Sequence, residues 1–471
     1  MKKTKQITLE NLLSFFIILC PILDIASFMF RNRFATNYSI STFIRPIIPI
    51  AIFGYIFIKK NKKSKLKIIG IVICYIIYAI IHICIYNNLM RNCSFGSLIH
   101  EFQYLVNYSF MILNLFIFIN IFNKSNCSKL QNSIIISMAI YTISIYIAII
   151  TQTSSTTYIE GIGYKGWFES GNSISAILLL SLFIIMSFVF KISNKKIKNL
   201  TLIIILLAGI YLMTLIGTRV GLIGFILAVV CFIISLLYEK LIKKTVTTSK
   251  TLITIILLAV AVVIIAISFG SVTIQRRKHL QNMENTIIDE SSGQVSNLTG
   301  DLTVIRNKIL KNELEENFMT EEQKQSIINL YDIAKKYNVS NTNTRIQQLI
   351  YNCMLIKNQA NFLLILFGNG YLINTNELVW EMEFPAILFN FGIFGFLLYM
   401  IPFVTIFAYA FILSIKNYKK LDSQYIMLLF ASGLSFALST LSGYTFFNSS
   451  SMMIIIIANC LLIVKTQEIK R

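Results

Sequence analysis

The stretch Ser173–Phe190, SISAILLLSLFIIMSFVF, holds no charged residue and is followed by Lys191, Lys195, Lys196 and Lys198. As a helix it would be about 27 Å long, close to the hydrocarbon thickness of a bilayer. It is too long for a strand and too uniformly apolar for a helix with one wet face. Comparable runs lie near 11–30, 40–58, 67–86, 103–122, 131–150, 199–216, 220–238, 251–270, 384–412, 425–441 and 447–464. The expected fold is therefore an all-α polytopic membrane protein with about 12 transmembrane helices. Composition agrees: the 471 residues are 56% hydrophobic and only 13% charged. That is too little polar surface for a soluble globule of this size and too much apolar content for a disordered chain.

The formal net charge is +21, from 42 Lys+Arg against 21 Asp+Glu. In a soluble protein this excess would point to nucleic acid. Here 25 of the basic residues fall in seven segments: Met1–Glu10, Lys59–Lys67, Asn123–Lys129, Lys191–Lys198, Glu239–Lys250, Lys416–Asp422 and Lys465–Arg471. The short loops on the opposite side hold only Arg31, Arg33, Arg91 and Lys165. The positive-inside rule then puts both termini in the cytoplasm and accounts for the charge without nucleic acid. The first apolar run follows Lys2, Lys3 and Lys5, as in a signal peptide, but lacks a small-residue cleavage pattern and is expected to be retained. Eight Cys form no CxxC or Cys/His cluster, and His82, His100 and His279 are the only His. Neither a disulfide framework nor a metal site is expected.

Residues 271–383 interrupt the regular alternation, on the outer side. They carry 11 Lys+Arg and 13 Asp+Glu. A connector of this length is usually functional or disordered. The domain reading is 1–270 with spans 1–9, 271–383 as a large extracytoplasmic loop, and 384–471 with spans 10–12. Within the loop, Ile327, Ile328, Tyr331, Ala334 and Tyr337 recur at helical spacing, as do Ile346, Leu349, Ile350, Cys353 and Ile356. Such faces pack against one another as a cap or lie on the membrane surface over a site. Asp289–Gly300 reads as a flexible linker. No matched halves of a carrier are evident.

Ionisable groups at membrane depth call for partners or a function. Asp24 lies late in the first span and Arg45 opens the second. They could pair to tie two helices together, or Arg45 could bind substrate. His100 and Glu101 precede the fourth span, where interfacial water would suffice. Gly217-Thr218-Arg219-Val220-Gly221 joins two spans with almost no loop. Its glycines allow close backbone approach, and Arg219 offers a planar fork suited to phosphate oxygens. The alternative is a structural salt bridge. At the end of the large loop come Arg345, then Phe367-Gly368-Asn369-Gly370, then Trp380-Glu381-Met382-Glu383 directly before a span that contains Gly392-Ile393-Phe394-Gly395. A carboxylate there could act as a general base beside the arginines. Glu381 and Glu383 are two apart and point different ways on a helix, so at most one reaches a given atom. The alternative is that both merely solvate the interface.

At these residues the sequence resembles the O-antigen ligase and polymerase family of bacterial surface polysaccharide assembly. The resemblance covers nearly the whole chain. It is sharpest over 160–225, with Gly166-Trp167-Phe168-Glu169-Ser170-Gly171-Asn172-Ser173 and the Gly217–Gly221 turn, and over 340–400, with Thr344-Arg345-Ile346, the Gly368/Gly370 motif and the Gly392/Gly395 motif. Many members carry His-Asn eleven residues before the first glycine of the last motif. Here that position is Glu381, followed by Met382, so the base role carried over falls on a carboxylate.

The resemblance implies a glycosyltransferase of the bacterial cytoplasmic membrane with its large loop outside. It implies an undecaprenyl-diphosphate-linked oligosaccharide donor, an acceptor glycan, and neighbouring assembly proteins such as a flippase and a chain-length regulator. Arg219, Arg345 and Glu381 would be catalytic. Arg45, Glu169, Asn172, Gly217, Gly221, Gly368, Gly370 and Glu383 would line the substrate site. No cofactor and no metal are expected, since two arginines can balance a leaving diphosphate. A polymerase is favoured over a ligase. A lipid-linked oligosaccharide flippase and a membrane scaffold are the competing classes.

Overall fold

The computed structural model describes residues 8–34, 40–91, 97–122, 127–158, 161–243, 271–276, 278, 306–313, 321–337, 344–371, 382–441, 443 and 445–470. In chain order the first helices are α1 (Leu9–Phe34), α2 (Ile40–Ile44), α3 (Ile47–Lys59), α4 (Lys62–Ile85), α5 (Leu98–Phe122), α6 (Ser128–Ile150), α7 (Gly171–Phe188), α8 (Lys195–Ile210) and α9 (Arg219–Lys243). There follow α10 (Glu321–Lys336), α11 (Thr344–Gln359), α12 (Phe362–Phe367), α13 (Glu383–Lys416), α14 (Ser423–Leu441) and α15 (Ser449–Lys470). A short antiparallel ribbon, β1 (Ser155–Thr156) with β2 (Tyr164–Gly166), precedes α7. The protein is an all-α polytopic membrane protein. Ten helices among the described residues are long and apolar enough to cross a membrane. They coincide with ten of the twelve apolar runs. The run 251–270 lies outside the described residues, as does the linker Asp289–Gly300.

The run 40–58 is not one continuous span. It breaks at Arg45-Pro46 into α2 and α3, and α3 has 13 residues. Proline disfavours helical geometry in the residue before it, which is where the break falls. At about 1.5 Å per residue, α3 is short of a bilayer's width.

The chain forms two compact units. The first comprises residues 1–60, 110–277 and 402–471. At its centre is α7, in which every residue except Asn172 is buried. It packs on α6, α9, α14 and α15. Small residues let it do so: Ser175 and Ser187 return their hydroxyl hydrogens to the carbonyls of Gly171 and Ile184, at 2.8 and 2.6 Å. A polar atom satisfied within its own helix can be surrounded by neighbours without an unpaired group. On α14 and α15 the same is achieved across helices, with Ser432 Oγ donating to Asn459 Oδ1 at 2.9 Å.

One end of this unit is fastened by Lys191, whose Nζ is 2.9 Å from Asp422 Oδ2. Burial pushes the Asp422 carboxyl up. Lys191, the backbone N–H of Tyr425 and Lys465 outweigh that and hold it below its ordinary value. A depressed carboxyl stabilises the fold above the unfolded value of about 4 and loses that contribution as pH falls through the folded one. Asp422→Asn should therefore lower thermal stability at neutral pH, by about 1 kcal/mol or less. The gap from wild type should close on acidification. A gap that persists in acid would rule out the ion pair as its source.

The second unit comprises residues 61–109 and 278–401. Its apolar core joins Ile327, Leu330 and Tyr331 of α10, Tyr351, Met354 and Leu355 of α11, Leu364 of α12, and Tyr86 and Met90 in the π-turn Tyr86–Met90 that ends α4. The face expected for α10 is largely the buried one, with Ile327, Tyr331 and Ala334 inside, although Tyr337 is exposed. The face expected for α11 is divided, with Ile350 and Ile356 packed against this core. Ile346, Leu349 and Cys353 are exposed, while Gln347, Gln348 and Asn352 are buried with Tyr351. The buried polar side of α11 carries an attachment to the next loop, described below.

Candidate functional site

In the first unit the Gly217–Gly221 motif is a helix start. α8 ends in a π-turn, Tyr211–Leu215. The chain then reverses at Gly217, whose φ of +79° favours glycine. Thr218 caps α9: its Oγ1 accepts from Gly221 N at 3.1 Å, and it shares a hydrogen with Ser175 Oγ at 2.7 Å. This is the N-cap geometry expected for a threonine three residues ahead of the donor. A Cβ on Gly221 would sit 2.8 Å from Leu212 O, so the turn is closed by backbone packing. Arg219 is the first helical residue and is exposed. Among the described residues it has no ion-pair or hydrogen-bond partner.

The ribbon covers one side of this turn. Beyond β1, Thr157 N and Tyr158 N donate to Gly163 O and Ile162 O at 3.0 and 3.1 Å. Tyr158 Oη donates to Gly217 O at 3.4 Å, and Tyr211 Oη to Tyr164 O at 2.9 Å. The start of α7 meets the same corner: a Cβ on Gly171 would lie 3.5 Å from Thr218 Cγ2. The structure thus brings together two motifs that are some fifty residues apart in sequence. Asn172, half-buried, and Arg219 are the next residues along. Glu169 is exposed and ion-pairs with Arg31.

Arg45 is buried in the same unit, ion-paired with Asp24. Its guanidinium also donates to Ser449 Oγ, to Ser450 Oγ at 2.7 Å and to Cys20 O at 3.3 Å. Asp24 Oδ2 accepts in turn from Tyr141 and Ser450. The helix-tying pair considered from sequence is present, and it joins α1, α6 and α15.

In the second unit the Gly368/Gly370 and Gly392/Gly395 motifs interlock. Within α13 the residue Gly392 has φ 68° and ψ −175°, which breaks the helix. The break releases three consecutive carbonyls, and each finds a partner. Phe389 O accepts from Asn369 N at 2.7 Å, Asn390 O from Gly370 N at 3.0 Å, and Phe391 O from Tyr78 Oη at 2.7 Å. This is the full accounting that a helix end away from water requires. Contact is so close that a Cβ on Gly368 would collide with the Asn390 backbone, and one on Gly392 with the backbone of Leu366 and Phe367.

The loop is gripped on its other side by a pair that sequence reading placed wrongly. Glu101 is not in interfacial water: it is 1% exposed and bonded to His82, which is 0% exposed, at 2.7 Å. His82 Nδ1 faces Phe367 O at 2.6 Å and must carry a hydrogen, since a carbonyl only accepts. Glu101 Oε2 accepts from Tyr371 N at 2.8 Å. One proton is shared between His82 Nε2 and Glu101 Oε1, and the pair clamps both ends of Phe367–Tyr371. The available signal was His82 inside one apolar run and Glu101 directly ahead of the next. Glu101→Ala would strand two buried donors and should cost about 3–5 kcal/mol. Glu101→Gln can keep both contacts and should cost far less. Equal loss of thermal stability in the two variants would refute the clamp.

Of the remaining predicted site residues, Arg345 opens α11, half-buried. Two turns on, Asn352 O accepts from Asn369 Nδ2 at 3.3 Å, which fastens α11 to the glycine loop. Glu383 begins α13, is 2% exposed and lies near Tyr108. Glu381 falls outside the described residues.

A family model described as O-antigen ligase like membrane protein matches residues 6–469. Comparison with curated proteins finds no match. The family implies glycosyl transfer from lipid-linked glycans, in polysaccharide assembly or ligation at the membrane. With a match over nearly the whole chain, on a multi-pass helical frame, the protein belongs to the O-antigen ligase-like family of membrane proteins.

Proposed function

We propose that the protein polymerises undecaprenyl-diphosphate-linked oligosaccharide repeat units into a surface polysaccharide. It would do so at the outer face of the bacterial cytoplasmic membrane, with residues 271–383 outside and both termini inside. The observation that carries the reading is Arg219: an exposed guanidinium, without a partner among the described residues, at the first position of a helix, on a backbone-packed turn, in a chain of this family. A helix start presents unpaired N–H groups and a favourable dipole to an anion. A guanidinium adds a bidentate fork.

In the reaction, a hydroxyl of the acceptor sugar attacks the anomeric carbon of the donor. The new glycosidic bond forms as the bond from that carbon to the phosphate oxygen breaks, and the lipid diphosphate leaves with the electron pair. Charge on that oxygen grows in the transition state, so cations placed there accelerate the step. Arg219 and Arg345 take that role. The hydroxyl proton goes to Glu381, with Glu383 next in line. Apolar surfaces between spans accommodate the polyprenyl chain.

Purified protein in lipid, supplied with a lipid-diphosphate-linked repeat unit, should give a ladder of products. A single transfer of a preassembled chain to a different acceptor would make it a ligase. Transbilayer movement of the donor without elongation would make it a flippase. In cells, Glu381→Gln should accumulate lipid-linked single repeats. Normal chain length in that variant would move the base elsewhere.

A further inference from the structure

The short segment after residue 270 is bound to the Gly217 turn at three points. Ser271 Oγ donates to Met213 O at 2.9 Å, and Thr273 Oγ1 to Thr218 O at 3.4 Å. Val272 Cγ1 is 3.2 Å from where a Cβ of Gly217 would stand. Residues 272–276 are helical. Arg276, three and four residues beyond Thr273 and Val272, therefore lies on the face toward the turn. Its Cζ is 3.3 Å from the centroid of the Tyr158 ring, and Tyr158 is the residue that donates to Gly217 O. Contact that close requires the guanidinium to lie flat on the ring, so its donors radiate past the ring's edge. Arg276 Nε is buried without a hydrogen-bond partner, and among the described residues the guanidinium pairs with no carboxylate.

We propose that Arg276 is a further substrate-binding residue, which with Arg219 forms a two-fork site for a diphosphate. The proposal rests on the reading of Arg219 given above. Each fork takes the oxygens of one phosphate, so the site distinguishes a diphosphate carrier from a monophosphate one. Tyr158 is the platform that aims the second fork. This also gives Ser271 and Thr273 a purpose: they fix the start of the large loop so that Arg276 arrives beside the turn that carries Arg219.

The test is binding of undecaprenyl diphosphate and undecaprenyl monophosphate to the full chain in detergent. Wild type should prefer the diphosphate at least tenfold. Arg276→Gln should weaken diphosphate binding at least tenfold and leave monophosphate binding unchanged. Arg219→Gln should weaken both. Unchanged diphosphate affinity in Arg276→Gln overturns the proposal alone, whereas unchanged affinity in Arg219→Gln overturns the reading beneath it. A second measurement needs no variant. Undecaprenyl diphosphate should slow phenylglyoxal modification of Arg276 in wild type at least tenfold, followed by mass spectrometry. The monophosphate should not. Absence of protection by the diphosphate overturns the proposal whatever the variants do.

Discussion

Arg219→Ala should abolish long polymer while leaving the protein inserted and folded. The side chain is exposed, has no partner among the described residues, and contributes no packing that the turn depends on. The turn is held instead by Thr218, Gly217 and Gly221. Removing the guanidinium thus takes away charge without disturbing the frame. Loss of a donor aimed at a developing oxyanion costs about 10²–10³-fold in rate. On the proposed role, the deficit should appear in kcat more than in KM, because a contact to the leaving group would strengthen as it departs. Lysine at 219 should recover part of the rate, since it supplies charge but not the planar fork. Rate and stability both measured on purified protein separate the two effects. An Arg219→Ala enzyme with wild-type elongation would end the leaving-group role.

Gly392→Ala is the variant expected to damage the structure most. At φ 68° and ψ −175° an L-residue costs about 1–3 kcal/mol by itself. The added methyl would also meet the backbone of Leu366 and Phe367, which cannot rotate away as a side chain could. To make room, the loop must lift from α13, and the hydrogen bonds from Asn369 N and Gly370 N are then lost. We expect a total loss above about 3 kcal/mol, with new protease sensitivity near Phe367–Tyr371. Gly368→Ala should do the same from the opposite partner. Gly54→Ala and Gly70→Ala are the controls: they are helical positions with nothing within 4 Å of a new Cβ, and should be neutral or slightly stabilising. Equal melting temperatures for Gly392→Ala and Gly70→Ala would show that the interlock does not hold.

The parts of this protein legible from sequence are those in which one local property decides the outcome. Runs such as Ser173–Phe190 cross a membrane because length and apolarity suffice. Thr218 caps α9 because the spacing to Gly221 is local. What was hidden depends on partners distant in the chain. His82 and Glu101 sit on different helices, and neither sequence neighbourhood shows that one is opposite the other. The burial of Asn352 on α11 was hidden too, because its partner Asn369 is seventeen residues further on. Arg276 is one of three consecutive basic residues, Arg276-Arg277-Lys278, with nothing in the local sequence to mark it. Only the Tyr158 ring sets it apart.

The fastening at Gly392 is made almost wholly of main-chain atoms. Apart from the Tyr78 hydroxyl, its donors and acceptors are groups that nearly every residue possesses. It constrains the alphabet at Gly368 and Gly392, while the side chains of Asn369 and Tyr371 beside them are held separately by Asn352 and Tyr108. Main-chain hydrogen bonds survive any substitution that leaves the backbone in place, so the sensitivity of the interlock is concentrated at its glycines.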